Sequence, residues 1–129
     1  MYPTQHLFAG ALFALVLWLL FPNVDYLGFL IIVASSLLID ADHYFWYVYK
    51  KRDLNLKNAY NWFVKNLKKS YSLPRKQRNG FYGCFCFLHG IEILVILLIG
   101  IFLSHYFLFV FVGVAFHLLL DIIDQVVYV

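Results

Sequence analysis

Asp40, Asp42 and His43 stand within four positions of one another, directly after the apolar run Leu37-Leu38-Ile39. A charged side chain inside hydrocarbon costs ~2.5–3.5 kcal/mol on insertion scales. Three ionisable groups at the end of a membrane-grade segment therefore need a compensating partner. A bound cation with oxygen and nitrogen ligands supplies one. The same residue types recur elsewhere at helical spacing. His89 and Glu92 are i,i+3, and Asp40 and His43 are i,i+3 with Ser36 four residues earlier. His117 and Asp121 are i,i+4, with Asp124 returning to that face, and His6 is followed on its own face by Gly10 and Ala14. Such spacings put each set on one side of a helix, and the small residues beside His6 let a neighbouring helix come close.

The elements that must carry these residues follow from composition. The 129-residue chain is 64% hydrophobic, 21% aromatic and only 13% charged, with mean hydropathy +0.78. This lies outside the soluble globular range and indicates a single all-α membrane domain over residues 1–129. Four apolar segments are expected to span, at about 5–21, 26–48, 81–104 and 106–124. The first has no basic n-region and no clear small-residue cleavage site, so it reads as a retained span rather than a signal peptide. All ten Lys and Arg lie between Lys50 and Arg78. The positive-inside rule then places the 50–80 connection, and both termini, in the cytoplasm of a multi-pass cell-membrane protein.

That topology puts His6, the Asp40–His43 block, His89, Glu92, His117, Asp121 and Asp124 at the inner ends of four separate helices. Counting ~1.5 Å per helical residue from the outer ends, His6, Asp40, His89 and His117 reach one layer in the inner half of the ~30 Å hydrocarbon. Histidine paired with carboxylate on successive helices is how metal centres are built in bundle cores. Without thiolate, the donor set favours Zn²⁺, then Mn²⁺ or Fe²⁺. The supply exceeds one tetrahedral site, so one or two ions are expected. The expected ligands are His6, Asp40, His43, His89, His117 and Asp121, with Asp42 and Glu92 as second-ion ligands or as the base that activates water. Polar packing or a proton relay is the competing reading of the same residues. Asp42 lies roughly opposite Asp40 on an unbroken helix, so it either marks a break or serves a second ion.

Within the basic connection, Leu56, Tyr60, Phe63, Leu67 and Tyr71 repeat at spacings of three and four. This predicts an amphipathic helix on the inner membrane face, stopped by Pro74, whose cations meet anionic lipid head groups at ~1 kcal/mol each. Arg75, Lys76 and Arg78 are candidates for holding an anionic substrate near the metal site. Nucleic acid is not expected as a partner, because the adjacent membrane competes for the same cations. Cys84 and Cys86 stand two apart, without the second pair a zinc knuckle needs, and are expected to be buried thiols.

Taken together, Gln5-His6, Leu37-Leu38-Ile39-Asp40-Ala41-Asp42-His43, Leu88-His89-Gly90-Ile91-Glu92 and His117-Leu118-Leu119-Leu120-Asp121 resemble the YdjM-like family of prokaryotic membrane-bound, metal-dependent hydrolases. The family is itself distantly similar to zinc-dependent phospholipase C. The resemblance implies that His6, Asp40, Asp42, His43, His89, His117 and Asp121 occupy metal-site positions. Where the family block usually has Pro before its first Asp, this chain has Ile39. The expected function is a membrane hydrolase acting on a phosphoester or lipid-derived substrate at the inner leaflet. The alternatives are a non-catalytic, metal-stabilised module that binds anionic lipid or a protein partner, and, ranked last, an ion or proton conductor.

Overall fold

The computed structural model describes residues 3–73, 77 and 87–127. Among these residues every regular element is helical: α1 (Pro3–Leu20), α2 (Tyr26–Leu38), α3 (Ala41–Lys51), α4 (Leu56–Tyr71), a 3₁₀ turn at Phe87–His89, α5 (Ile91–Ile101) and α6 (Tyr106–Val127). Cys84, Cys86, Pro74, Arg75, Lys76 and Arg78 lie outside the described residues, as does the start of the segment expected at 81–104.

Local chemistry sets the boundaries. α1 stops at the Pro22-Asn23 turn, where the Val24 N–H donates to the Phe21 carbonyl at 3.0 Å. Asp25 then caps α2, its Oδ1 accepting from the Gly28 N–H at 2.6 Å, which satisfies one of the orphan donors of a helix start. Near the end of α2, the Ser35 and Ser36 hydroxyls donate back to the carbonyls of Ile32 and Val33 at 3.1 and 2.9 Å. Back-bonding of this kind bends helices. A turn follows at Ile39–Asp40, with the Asp40 N–H on the Leu37 carbonyl and the His43 N–H on the Asp40 carbonyl. The second apolar segment is therefore interrupted at Asp40, and α3 restarts from it. Of the two readings left open for Asp42, the break is the one found.

α2 lies at the centre, packed on α6 and on α1, while α5 packs on α6. Close approach depends on two glycines. A Cβ on Gly10 would strike Ser36, and one on Gly113 would strike Ser35 and stand 2.6 Å from the Ile32 carbonyl oxygen. Ala14, fully buried, continues the Gly10 face into a core with Ile32 and Phe109, and Ile39, Leu97 and Val114 form a second core nearer the polar layer. Phe13 on α1 stacks on Phe116 of α6 at 3.9 Å.

Tyr26–Lys51 (26 residues) and Tyr106–Asp124 (19 residues) are long and apolar enough to cross a membrane, whereas Thr4–Leu20 and Ile91–Ile101 are shorter apolar helices. Leu12, Leu19, Ile99 and Ile122 stand exposed on these elements, and Phe102 and Leu103 in the turn after Ile101.

α3 turns into α4 through a rigid corner. Arg52, in the left-handed region at φ 53°, closes α3 with its N–H on the Val48 carbonyl at 2.8 Å. Asp53 accepts from the Tyr47 hydroxyl (2.7 Å), the Asn58 side-chain amide (2.8 Å) and the Asn55 N–H (2.9 Å). Those bonds, the Tyr47 hydroxyl foremost, hold the Asp53 carboxyl below its ordinary value. Asn55 caps α4 by accepting from the Lys57 and Asn58 N–H groups. The amphipathic helix expected in the basic connection is thus present as α4.

Candidate metal centre

Four elements deliver side chains to one place: the start of α1 (His6), the α2–α3 break (Asp40, Asp42, His43), the 3₁₀ turn (His89) and the later half of α6 (His117, Asp121). Two ligand triads result, His6–His117–Asp121 and Asp40–His43–His89, each with its donor atoms within 4.8 Å of one another. The triads abut. His117 Nε2 lies 3.3 Å from Asp121 Oδ2 and 3.5 Å from Asp40 Oδ1. His89 Nε2 lies 3.7 Å from Asp121 Oδ2 and 3.6 Å from Asp40 Oδ1. The flanking imidazoles follow, with His6 Nε2 3.1 Å from Asp121 Oδ1 and His43 Nε2 3.7 Å from Asp40 Oδ1.

The far sides of the two central rings fix their orientation. His117 Nδ1 meets the Ser36 carbonyl at 2.7 Å. A carbonyl only accepts, so Nδ1 carries the proton. His89 Nδ1 meets Asp42 Oδ2 at 3.0 Å, and that same oxygen accepts from the Leu88 N–H at 3.2 Å. Each central imidazole, if neutral, then presents a bare Nε2 lone pair to two carboxylate oxygens. Both Nε2 atoms are buried without a hydrogen bond, as are His6 Nδ1 and Asp42 Oδ1. Lone pairs facing carboxylates repel unless positive charge lies between them, and unsatisfied buried polar atoms cost ~1–3 kcal/mol each.

The donor set fits a divalent cation. N–O separations of 3.3–3.7 Å are those of neighbouring ligands on one ion whose bonds are ~2.0–2.2 Å, the range for zinc with nitrogen or oxygen. A histidine whose second ring nitrogen donates to a carboxylate or backbone carbonyl is the usual outer-shell support of a metal ligand, and His89 and His117 each have it. Three carboxylates, Asp40, Asp42 and Asp121, stand among four imidazoles, and a bound cation would offset their charge.

The centre is lopsided. The His117 and His6 side chains are 0% and 3% exposed, whereas Asp40 and His43 are each 26% exposed and Asp121 24%. Approach is therefore from the side of Asp40, His43 and Asp121.

Among the residues expected at the site, the structure brings together His6, Asp40, Asp42, His43, His89, His117 and Asp121. It does not bring in Glu92. Its i,i+3 relation to His89 assumed one continuous helix, but the backbone is a 3₁₀ turn to His89 and extended at Gly90 (φ −85°, ψ 158°), with α5 starting after it. Glu92 is exposed in the first turn of α5. Asp42 supports the His89 ring through Oδ2, while its Oδ1 is buried without a hydrogen bond. Asp124, expected on the same polar face as Asp121, is buried and accepts from the Tyr71 hydroxyl at 2.6 Å. Two contributors were not foreseen: Phe63 of α4, whose ring lies 5.2 Å from that of His43, and the Ser36 carbonyl that orients His117. The three-and-four spacing of α4 had assigned Phe63 and Tyr71 to the inner membrane face, whereas Phe63 lies against His43 and the Tyr71 hydroxyl donates to Asp124.

No family model, characterised protein or solved structure matches the chain.

Proposed function

We propose that this chain is a multi-pass cell-membrane protein whose four apolar segments span as a bundle, with both termini cytoplasmic, and that its inner-leaflet polar layer is a metal centre of a YdjM-like hydrolase. Exposed leucine, isoleucine and phenylalanine side chains on the outer faces of α1, α2, α5 and α6 support the membrane setting, and the confinement of all Lys and Arg to residues 50–78 supports the orientation. One observation carries the metal reading. The Nε2 atoms of His89 and His117 are buried, unbonded and aimed at Asp40 and Asp121, while their Nδ1 atoms are committed elsewhere. Zinc suits this donor set best, with Mn²⁺ or Fe²⁺ next.

When bound, such an ion polarises a phosphoryl or carbonyl oxygen and makes a bound water acidic. The residues' own roles are separate from that chemistry. His6, Asp40, His43, His89, His117 and Asp121 hold the ion or ions, and Asp42 keeps the His89 ring in place. The partly exposed rim at Asp40 and His43 admits a phosphoester-type substrate from the inner leaflet.

The alternative, a metal-stabilised module without turnover, draws support from the placement of the two base candidates. Glu92 is outside the cluster, and Asp42 Oδ2 already accepts two hydrogen bonds. Purified protein assayed for bound metal and for hydrolysis of a phosphodiester and of phospholipid vesicles separates these readings. Stoichiometric metal with chelator-sensitive turnover is the expected result. Metal without turnover selects the module. Protein free of metal, or metal content unchanged in Asp40→Ala, contradicts both.

A further inference from the structure

An amphipathic helix in a basic loop needs nothing beyond the lipid surface to occupy its apolar face, yet α4 is tied to the helices that carry the metal centre at three points. Its start is held by the Asp53 corner, through Tyr47 of α3. Its middle lays Phe63 against His43 with ring centres 5.2 Å apart, and Trp62 against Tyr47 at 5.6 Å. Its last residue, Tyr71, donates its hydroxyl to Asp124 Oδ2 at 2.6 Å. Asp124 is buried near the end of α6, one helical turn beyond Asp121. A buried carboxylate is expensive unless donors meet it, and α4 supplies one of them through the Tyr71 hydroxyl. α4 therefore runs from α3 to α6, and its Phe63 covers the most exposed of the candidate ligand imidazoles.

From this bridging we propose that α4 is a strap over the metal centre, in which Tyr71 and Phe63 are positioning residues that set how fast an ion enters and leaves. The inference rests on the metal reading above. Tyr71 acts through Asp124 on the end of α6 that carries Asp121, and Phe63 acts on the His43 ring. Lys65 and Lys68 remain exposed on the strap, so they report on its opening.

The test uses the full chain in lipid nanodiscs, loaded with zinc, as wild type, Tyr71→Phe and Phe63→Ala, with Tyr60→Ala on the exposed side of α4 as control. Two rates are read: zinc loss to excess EDTA, and tryptic cleavage at Lys65 and Lys68. Loss of one charge-assisted hydrogen bond in Tyr71→Phe should raise both rates by roughly fivefold or more. Phe63→Ala should raise zinc loss similarly, zinc stoichiometry should stay the same, and Tyr60→Ala should match wild type. Zinc loss within about twofold of wild type in zinc-loaded Tyr71→Phe overturns the strap, whether or not cleavage rises. Because Tyr71→Phe removes a single oxygen, it remains decisive if Phe63→Ala fails to fold. Wild-type protein that retains no zinc sinks the metal reading itself, a result distinct from unchanged rates in loaded protein.

Discussion

The two triads are made of the same residue types, yet they sit on different kinds of backbone. His6, His117 and Asp121 project from the uninterrupted helices α1 and α6, with His117 and Asp121 one turn apart, and the two histidines are almost fully buried. Their rings stack at 4.1 Å. Asp40, His43 and His89 come instead from a helix break and a 3₁₀ turn, and they are partly exposed. Regular helices hold ligands rigidly but offer only one stripe. Interrupted backbone can turn several neighbours inward, as it does with Asp40, Asp42 and His43. On the function proposed above, the almost fully buried His6 and His117 would retain the ion, and the more exposed His43 side would exchange it and meet substrate.

The largest effect that tests this contrast is expected from Asp121→Ala. It removes the carboxylate facing three imidazoles, His6, His89 and His117. Breaking a buried ionic set by deleting one partner costs ~3–5 kcal/mol. Bound metal should fall to background and the thermal unfolding midpoint should drop, whereas His43→Ala on the open side should retain most of the metal and lose turnover. If both variants lose metal equally, the division is wrong. Asp42→Asn comes next. It weakens the support of the His89 ring, so metal affinity should fall ~10–100-fold in a chelator competition assay, while folding stays intact.

Gly113→Ala tests packing rather than chemistry. The added methyl meets Ser35 and the Ile32 carbonyl, so the α2–α6 contact should loosen at ~1–3 kcal/mol. Thermal unfolding should register this, with metal stoichiometry retained at low temperature. The smallest effect belongs to Glu92→Gln. The exposed placement of Glu92 predicts metal content and stability unchanged from wild type. A loss of metal in that variant would put Glu92 back in the site.

Much of this arrangement was readable from residue spacing. Hydrophobic run lengths placed His6, Asp40, His89 and His117 at one depth, because helical rise is fixed and the distance from each outer turn can be counted. The i,i+4 pairing of His117 with Asp121 held because α6 is continuous. Two readings failed or stayed open for one reason: spacing arguments assume unbroken helix. Ser35 and Ser36 bond back to their own helix just before Asp40, and that turn brings Asp42 to the same side as His89. Gly90, extended between turn and helix, takes Glu92 out of register with His89. The docking of α4 was not legible, since an apolar stripe at spacings of three and four looks the same whether lipid or protein covers it. Asp124 shows the same limit, because its position on the Asp121 face did not reveal that its partner would be Tyr71.

The most direct test is X-ray absorption at the metal edge on purified, metal-loaded protein in nanodiscs. A cation held by His89, His117, Asp40 and Asp121 predicts a first shell of nitrogen and oxygen only, at ~2.0–2.2 Å, with the multiple-scattering signature of about two imidazoles, falling to about one in His117→Ala. A sulfur shell, or an imidazole count unchanged in His117→Ala, would contradict it.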